Sequence, residues 1–160
     1  MDIGFVDPTA IIKSLYDKEN KRIFVYDEFY ASGKQLDEIA QAMEGMELRH
    51  TKLYCDSADP RAITYFRQRG YNTVPCVKGQ GSVEAGISFM QNMEIIVLPK
   101  CKNFINELEN FSYIKDRKTD KYTEKMTHEF GHAVDACRYA YSDIYSGKTL
   151  KTFDISLLGL

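Results

Sequence analysis

The strongest constraint on this chain's fold is a change of apolar period about a fifth of the way along it. Through the first 30 or so of its 160 residues, β-rich stretches with apolar side chains at alternate positions cover Ile3–Val6, Ala10–Tyr16 and Arg22–Tyr30, and predict three strands. Asp7-Pro8 and Asp17-Lys18-Glu19-Asn20 supply turn chemistry between them, so an antiparallel meander is expected. From Lys34 the period lengthens. Lys34–Met46 sets Leu36, Ile39, Ala40 and Met43 on one helical face, and Thr51–Cys55 reads as a short strand. Asp59-Pro60 opens a helix that stops at Gly70. Alternation then continues with a strand over Val74–Val77, a helix over Ser82–Gln91, a strand over Glu94–Leu98 and a helix over Asn103–Phe111. Residues 113–125 are polar and charged, a loop or exposed hairpin. Thr127–Tyr145 is the longest helical stretch, closed by Ser146-Gly147. The expectation is an α/β domain whose mixed sheet, an antiparallel meander plus parallel strands, is flanked by helices.

A chain of this length fits one core, assigned to residues 1–145 with 146–160 as a tail. The longest apolar runs, such as Ile95–Leu98, are too short to span a bilayer, and Met1-Asp2-Ile3-Gly4 has neither the basic nor the apolar region of a signal peptide. Cys55, Cys76, Cys101 and Cys137 are scattered without a CxxC pair, which predicts buried thiols, a reducing compartment and a cytoplasmic protein. The net charge of −2 means that any contact with nucleic acid rests on local basic patches, with weak and salt-sensitive affinity.

Three aspartates fall where such a fold brings distant segments together. Asp2 opens the first strand, Asp56 follows Leu53-Tyr54-Cys55, and Asp135 lies on the last long helix one turn from His132. Taken singly, each reads equally as a cap or a solvated charge. Jointly they have the distribution of carboxylates that bridge two hard cations about 3.5–4 Å apart to activate water and stabilise a leaving oxygen.

These segments also carry a resemblance. Asp2-Ile3-Gly4-Phe5-Val6-Asp7-Pro8-Thr9-Ala10, Tyr54-Cys55-Asp56-Ser57-Ala58-Asp59-Pro60, Lys78-Gly79-Gln80-Gly81-Ser82-Val83 with Gly86-Ile87, and Gly131-His132-Ala133-Val134-Asp135-Ala136-Cys137-Arg138-Tyr139-Ala140 occur in order. Together they resemble the motifs of the nuclease domain of phage terminase large subunits. The resemblance implies an RNase H-like fold, and Mg²⁺ or Mn²⁺ in a two-metal site on Asp2, Asp56 and Asp135, with His132 beside it. It implies an endonuclease cutting concatemeric viral DNA during packaging. Duplex DNA, bound without sequence specificity, an ATPase domain, a portal and a small terminase subunit would be its partners. The family often has Asn where Gly131 stands. It also has a few apolar residues before its first acid, where this sequence has Met1 alone and no ATPase domain upstream. Asp2 is therefore expected to be mobile or displaced from the other acids, and the metal weakly held.

Other motifs compete. His128-Glu129-Phe130-Gly131-His132 is a literal HExxH, the zinc-protease arrangement of two imidazoles one turn apart and a glutamate base. No Glu follows Glu129 to serve as a third ligand, and the continuation that would supply a third histidine holds Asp135 and Arg138 instead. Gly147-Lys148-Thr149 imitates the end of a P-loop, but residue 142 is Ser where Gly is needed, so ATP hydrolysis is not expected. Lys78 and Gly79 suit a close approach to a phosphate backbone or, equally, an ordinary loop. Arg117 and Lys118 belong to the single basic run, Lys115–Lys125, a DNA contact or a solvated loop. A non-catalytic docking module of the packaging motor is the alternative of a different class.

Overall fold

The computed structural model describes residues 1–111, 113–115, 122–126 and 131–147. In chain order the first elements are β1 (Thr9–Asp17), β2 (Arg22–Ala31), α1 (Leu36–Gly45), β3 (Leu53–Cys55), α2 (Pro60–Gln68) and β4 (Thr73–Pro75). They are followed by α3 (Ser82–Gln91), β5 (Glu94–Val97), α4 (Lys102–Asn110), β6 (Tyr113–Lys115), β7 (Tyr122–Met126), α5 (His132–Ala140) and α6 (Ser142–Tyr145).

β1 and β2 form a long antiparallel pair with an irregularity at Lys13/Ser14, and β5 adds to β2 in parallel, Ile23 opposite Ile95. β3 and β4 form a separate parallel pair. Two residues join these sheets. Asp2 and Ala10 exchange both backbone bonds, at 2.9 and 2.8 Å, while the Met1 amine donates to Tyr54 O at 2.6 Å and Asp56 N donates to Met1 O at 3.1 Å. The spatial order is thus β5, β2, β1, the Met1-Asp2 segment, β3, β4. This is the mixed sheet expected.

The expected strand over Ile3–Val6 does not form. Among the described residues, the only ladder contact beside it is the bridge from Asp2 to Ala10. Thr9 Oγ1 accepts from Gly4 N and donates to Gly4 O, folding the chain back on itself, and an added Cβ at Gly4 would collide with the Asp7 carbonyl. Phe5 and Val6, 56% and 88% exposed, lie on a reversal rather than in a strand. The meander is therefore a hairpin plus one bridge. The last helical stretch also differs, since Tyr141 (φ −109°) separates α5 from α6, and the expected start over 127–130 lies outside the described residues. Residues 113–115 and 122–126 form an antiparallel pair, the hairpin option at that point of the sequence.

The period-2 pattern sorts the strands' side chains to two helical layers. Ile11, Leu53 and Cys55 pack with Ile39 and Met43 of α1 and with Ile63 and Phe66 of α2. Ala10, Ile23 and Val25 pack on the opposite side with Met90, Phe104, Val134 and Cys137 of α3, α4 and α5. Local chemistry sets several ends. Asp59 accepts from Ala62 N at 3.1 Å with Pro60 behind it, and Gly70 turns the chain at φ +85°. Gln35 and Glu38 form a capping box on α1. All four cysteines are buried and unbonded. No helix among the described residues is long and apolar enough to cross a membrane.

Candidate active site

Asp2, Asp56 and Asp135 arrive from three elements at one place. Asp2 is fixed by its backbone exchange with Ala10, and Asp56 leaves the end of β3 with its amide on Met1 O. Asp135 sits in the first turn of α5, which packs on both β1 and β3. All three carboxylates lie near enough to the largely buried Tyr139 of the same helix for their charges to act on its phenol. Burial first, and then the negative charges of Asp135, Asp2 and Asp56, drive its phenol far above the ordinary tyrosine range.

Each acid also has its own partner. His132 Nδ1 lies 3.1 Å from Asp2 Oδ2, and both side chains are more than four-fifths buried. Burial pushes the Asp2 carboxyl above its usual value, the His132 contact opposes this, and the nearby Asp135 charge adds to the rise. Asp56 Oδ1 accepts from Ala58 N at 2.7 Å and pairs with Lys78 Nζ at 2.5 Å, while Tyr139 OH donates to Oδ2 at 3.3 Å. Burial raises the Asp56 carboxyl, but the Lys78 ammonium and the Ala58 N–H outweigh it, so the net direction is down. Asp135 Oδ1 accepts from Arg138 Nε and Nη2 at 3.0 and 2.8 Å.

A loosely held Asp2 is expected for want of a preceding strand, but its main chain is bonded to two neighbouring strands. Its backbone is tied on both sides, and its carboxylate stands within electrostatic reach of Asp135. Among the described residues, however, no three His, Cys, Asp or Glu side chains are gathered tightly enough to hold an ion as they stand. Lys78 pairs with Asp56, and Arg138 with Asp135. The donor set fits a hard divalent cation in kind, since it is carboxylate oxygen with one imidazole at the edge.

Of the basic residues expected at DNA, Lys78 is half-exposed on Asp56, with its ammonium 5.2 Å from the Tyr139 ring centre. Among the described residues, nothing stands within 4 Å of where a Gly79 Cβ would be, so none of them requires glycine there. Arg117 and Lys118 lie outside the described residues, as do His128 and Glu129 of the HExxH motif. The second histidine of that motif, His132, is engaged with Asp2. Gly147 turns at φ +66° after α6, in keeping with a helix end.

Arg138, Tyr139 and Gly86 stand in the quoted motifs, but sequence reasoning assigned none of them a role at the site. Arg138 is 3% exposed, and its methylenes lie where a Cβ on Gly86 would come within 2.5 Å. The Arg138 spacing to Asp135, three residues along a helix, was the available signal.

With this geometry stand the comparisons. The family described as Terminase RNAseH like domain matches residues 2–143. The chain belongs to that family. Its curated relatives include the PBSX phage terminase large subunit of Bacillus subtilis (strain 168), 30% identical over 145 residues, 89% of this chain and 33% of that protein. The large terminase subunit of Bacillus phage SPP1 is 28% identical, covering 99% of this chain and 37% of its own length. This terminase domain thus spans about a third of the length of these relatives. Among solved structures, the nuclease domain of the SPP1 large terminase with bound Mn superposes with a TM-score of 0.80 at 28% identity, over 88% of this chain and 81% of that one. The large terminase of a thermophilic bacteriophage shares the fold at a TM-score of 0.67 and 20% identity, over 89% of this chain and 38% of that one. The RNase H-like terminase nuclease fold is therefore shown.

Proposed function

We propose that this domain hydrolyses phosphodiester bonds of duplex DNA with divalent metal, cutting concatemeric viral DNA at the start and end of packaging. What supports the reading is that the charges of Asp2, Asp56 and Asp135 all bear on the Tyr139 phenol, in a chain of the terminase family. Mn²⁺ or Mg²⁺ held by these three acids would supply a Lewis acid and an activated water, in a two-ion site. The neighbour from SPP1 is described with bound Mn, which supports this choice. The chain's own residues do the rest. His132 orients the Asp2 carboxylate, Arg138 holds Asp135 by two donors on one oxygen, and Tyr139 donates to Asp56. Lys78, half-exposed at the same place, is positioned to exchange Asp56 for a backbone phosphate. In the cell the domain would work in the host cytoplasm beside an ATPase motor, a portal and a small subunit.

The test is nicking of supercoiled plasmid by the purified chain with and without Mn²⁺. Nicking that needs the metal supports the endonuclease. A folded chain inert at millimolar Mn²⁺ would leave the docking-module alternative standing.

Lys78 gives a separate prediction. Removing one phosphate-facing ammonium is expected to reduce the log–log salt slope of DNA binding by about one. Lys78→Met is the variant, and fluorescence anisotropy across a salt series is the measurement; an unchanged slope argues that Lys78 serves Asp56 alone. The protease alternative is tested through Glu129, which has no role in the nuclease reading. Glu129→Gln is expected to leave plasmid cleavage near the wild-type rate, with no stoichiometric zinc in the purified protein. One zinc per chain by elemental analysis, with casein cleavage lost in the variant, would reverse the ranking.

A further inference from the structure

Glu107 of α4 is 1% exposed, and its carboxylate is fully engaged. Oε2 accepts from the backbone N–H groups of Ala133 and Val134, at 2.7 and 3.1 Å, and Oε1 accepts from Tyr30 OH of β2 at 2.7 Å. Those two amides belong to the first turn of α5, where a helix has no internal acceptors for its N–H groups. A cap normally comes from the residue just before the helix. Here that residue is Gly131, which has no side chain to offer. The acceptor comes from another helix, 26 residues earlier, as a buried negative charge at the positive end of the α5 dipole.

This arrangement does more than end a helix. A local cap moves with its helix and fixes nothing beyond it. A carboxylate anchored on α4 and bonded to β2 sets where α5 begins relative to the sheet that carries Asp2. The residues on either side of the two bonded amides are His132, on Asp2, and Asp135. We infer that Glu107 is a positioning residue of the candidate nuclease site: by bracketing the start of α5 between α4 and β2 it keeps His132 and Asp135 in register with Asp2 and Asp56. This rests on the nuclease reading for its consequence, though not for its geometry.

The test compares Glu107→Gln and Tyr30→Phe with a control of matched stability loss in the other core, Phe66→Leu. Gln keeps the shape but loses the charge and one acceptor. Two readouts are taken on each protein, Mn²⁺ affinity by calorimetry and hydrogen exchange of the Ala133 and Val134 amides. Glu107→Gln is expected to weaken Mn²⁺ binding roughly ten- to hundredfold, as losses beyond the direct ligands of metal sites do. Exchange at the two amides should quicken by about tenfold or more, the worth of a bond to a charged acceptor, while β1 and β2 stay protected. Tyr30→Phe should move both readouts in the same direction by less, and Phe66→Leu should move neither. Unchanged exchange at Ala133 and Val134, or Mn²⁺ affinity equal to that of the Phe66→Leu control, would overturn the inference. If the wild-type chain binds no Mn²⁺ at all, the nuclease reading falls, and exchange alone decides whether Glu107 sets the start of α5.

Discussion

Asp56→Asn is expected to reduce Mn²⁺-dependent plasmid cleavage by roughly a thousandfold or more, the scale seen when one member of a jointly acting set is removed. Asparagine is the informative choice. Its amide oxygen still accepts from Ala58 N, so the turn after β3 survives, while the charge facing Lys78 and the oxygen that accepts from Tyr139 OH are lost. Asp135→Asn should have a similar effect and likewise leaves an oxygen for Arg138. Asp135→Ala is less clean, because it strips the partner from a guanidinium that is almost wholly buried. Since the acids are proposed to act as one set, the double variant should be scarcely worse than either single one. Cleavage is read by conversion of supercoiled plasmid, with melting temperature and near-ultraviolet circular dichroism as the check on folding. Wild-type cleavage rates in either folded variant would remove that residue from the site.

The second large effect is on stability. Gly86 lies in α3 where it meets α5, and a Cβ there would stand 2.5 Å from both Cγ and Cδ of Arg138 and 3.0 Å from the Tyr145 ring. Arg138 cannot swing aside cheaply, because its guanidinium is held by Asp135. Overpacking of this kind costs about 1–3 kcal/mol. For Gly86→Ala, up to about 1 kcal/mol of helix propensity offsets it. Gly86→Val adds two further carbons and recovers less propensity, so a loss of about 3 kcal/mol is expected. At roughly 2–4 °C per kcal/mol for a domain of this size, its melting temperature should drop by about 6–12 °C. Alanine should fall between valine and wild type. An unchanged melting temperature for valine would mean that α3 and α5 separate freely at this point, and that Arg138 is not fixed by its surroundings.

Much of the fold was legible because its signals are local. Asp59-Pro60 and Gly70 mark the ends of α2 within a few residues of themselves, and each depends only on chemistry at that turn. The alternation through Ala10–Tyr16 and Arg22–Tyr30 survives as β1 and β2, because one face of each strand packs under α1 and α2 and the other under α3, α4 and α5. The candidate acids were legible for another reason. Asp56 and Asp135 lie inside the segments that carry the family resemblance, within the residues 2–143 that the family matches. Ile3–Val6 shows the limit of such reading. Its residues are as apolar as a strand's, but the bonds between Thr9 and Gly4 fold it back before a ladder can form, and the alternation carries no trace of them.

What the sequence by itself determined is most of the elements, their order, and the residues proposed to build a metal-binding site. Only the tertiary structure decided how those residues are held. Lys78 meets Asp56 from 22 positions away, His132 meets Asp2 from 130, and Glu107 reaches the start of α5 from 26. A helix or strand pattern repeats within a few residues, so it records which face is buried. The partner that waits on that face is set by how the sheet and its two helical layers close around one another, and no local period encodes it.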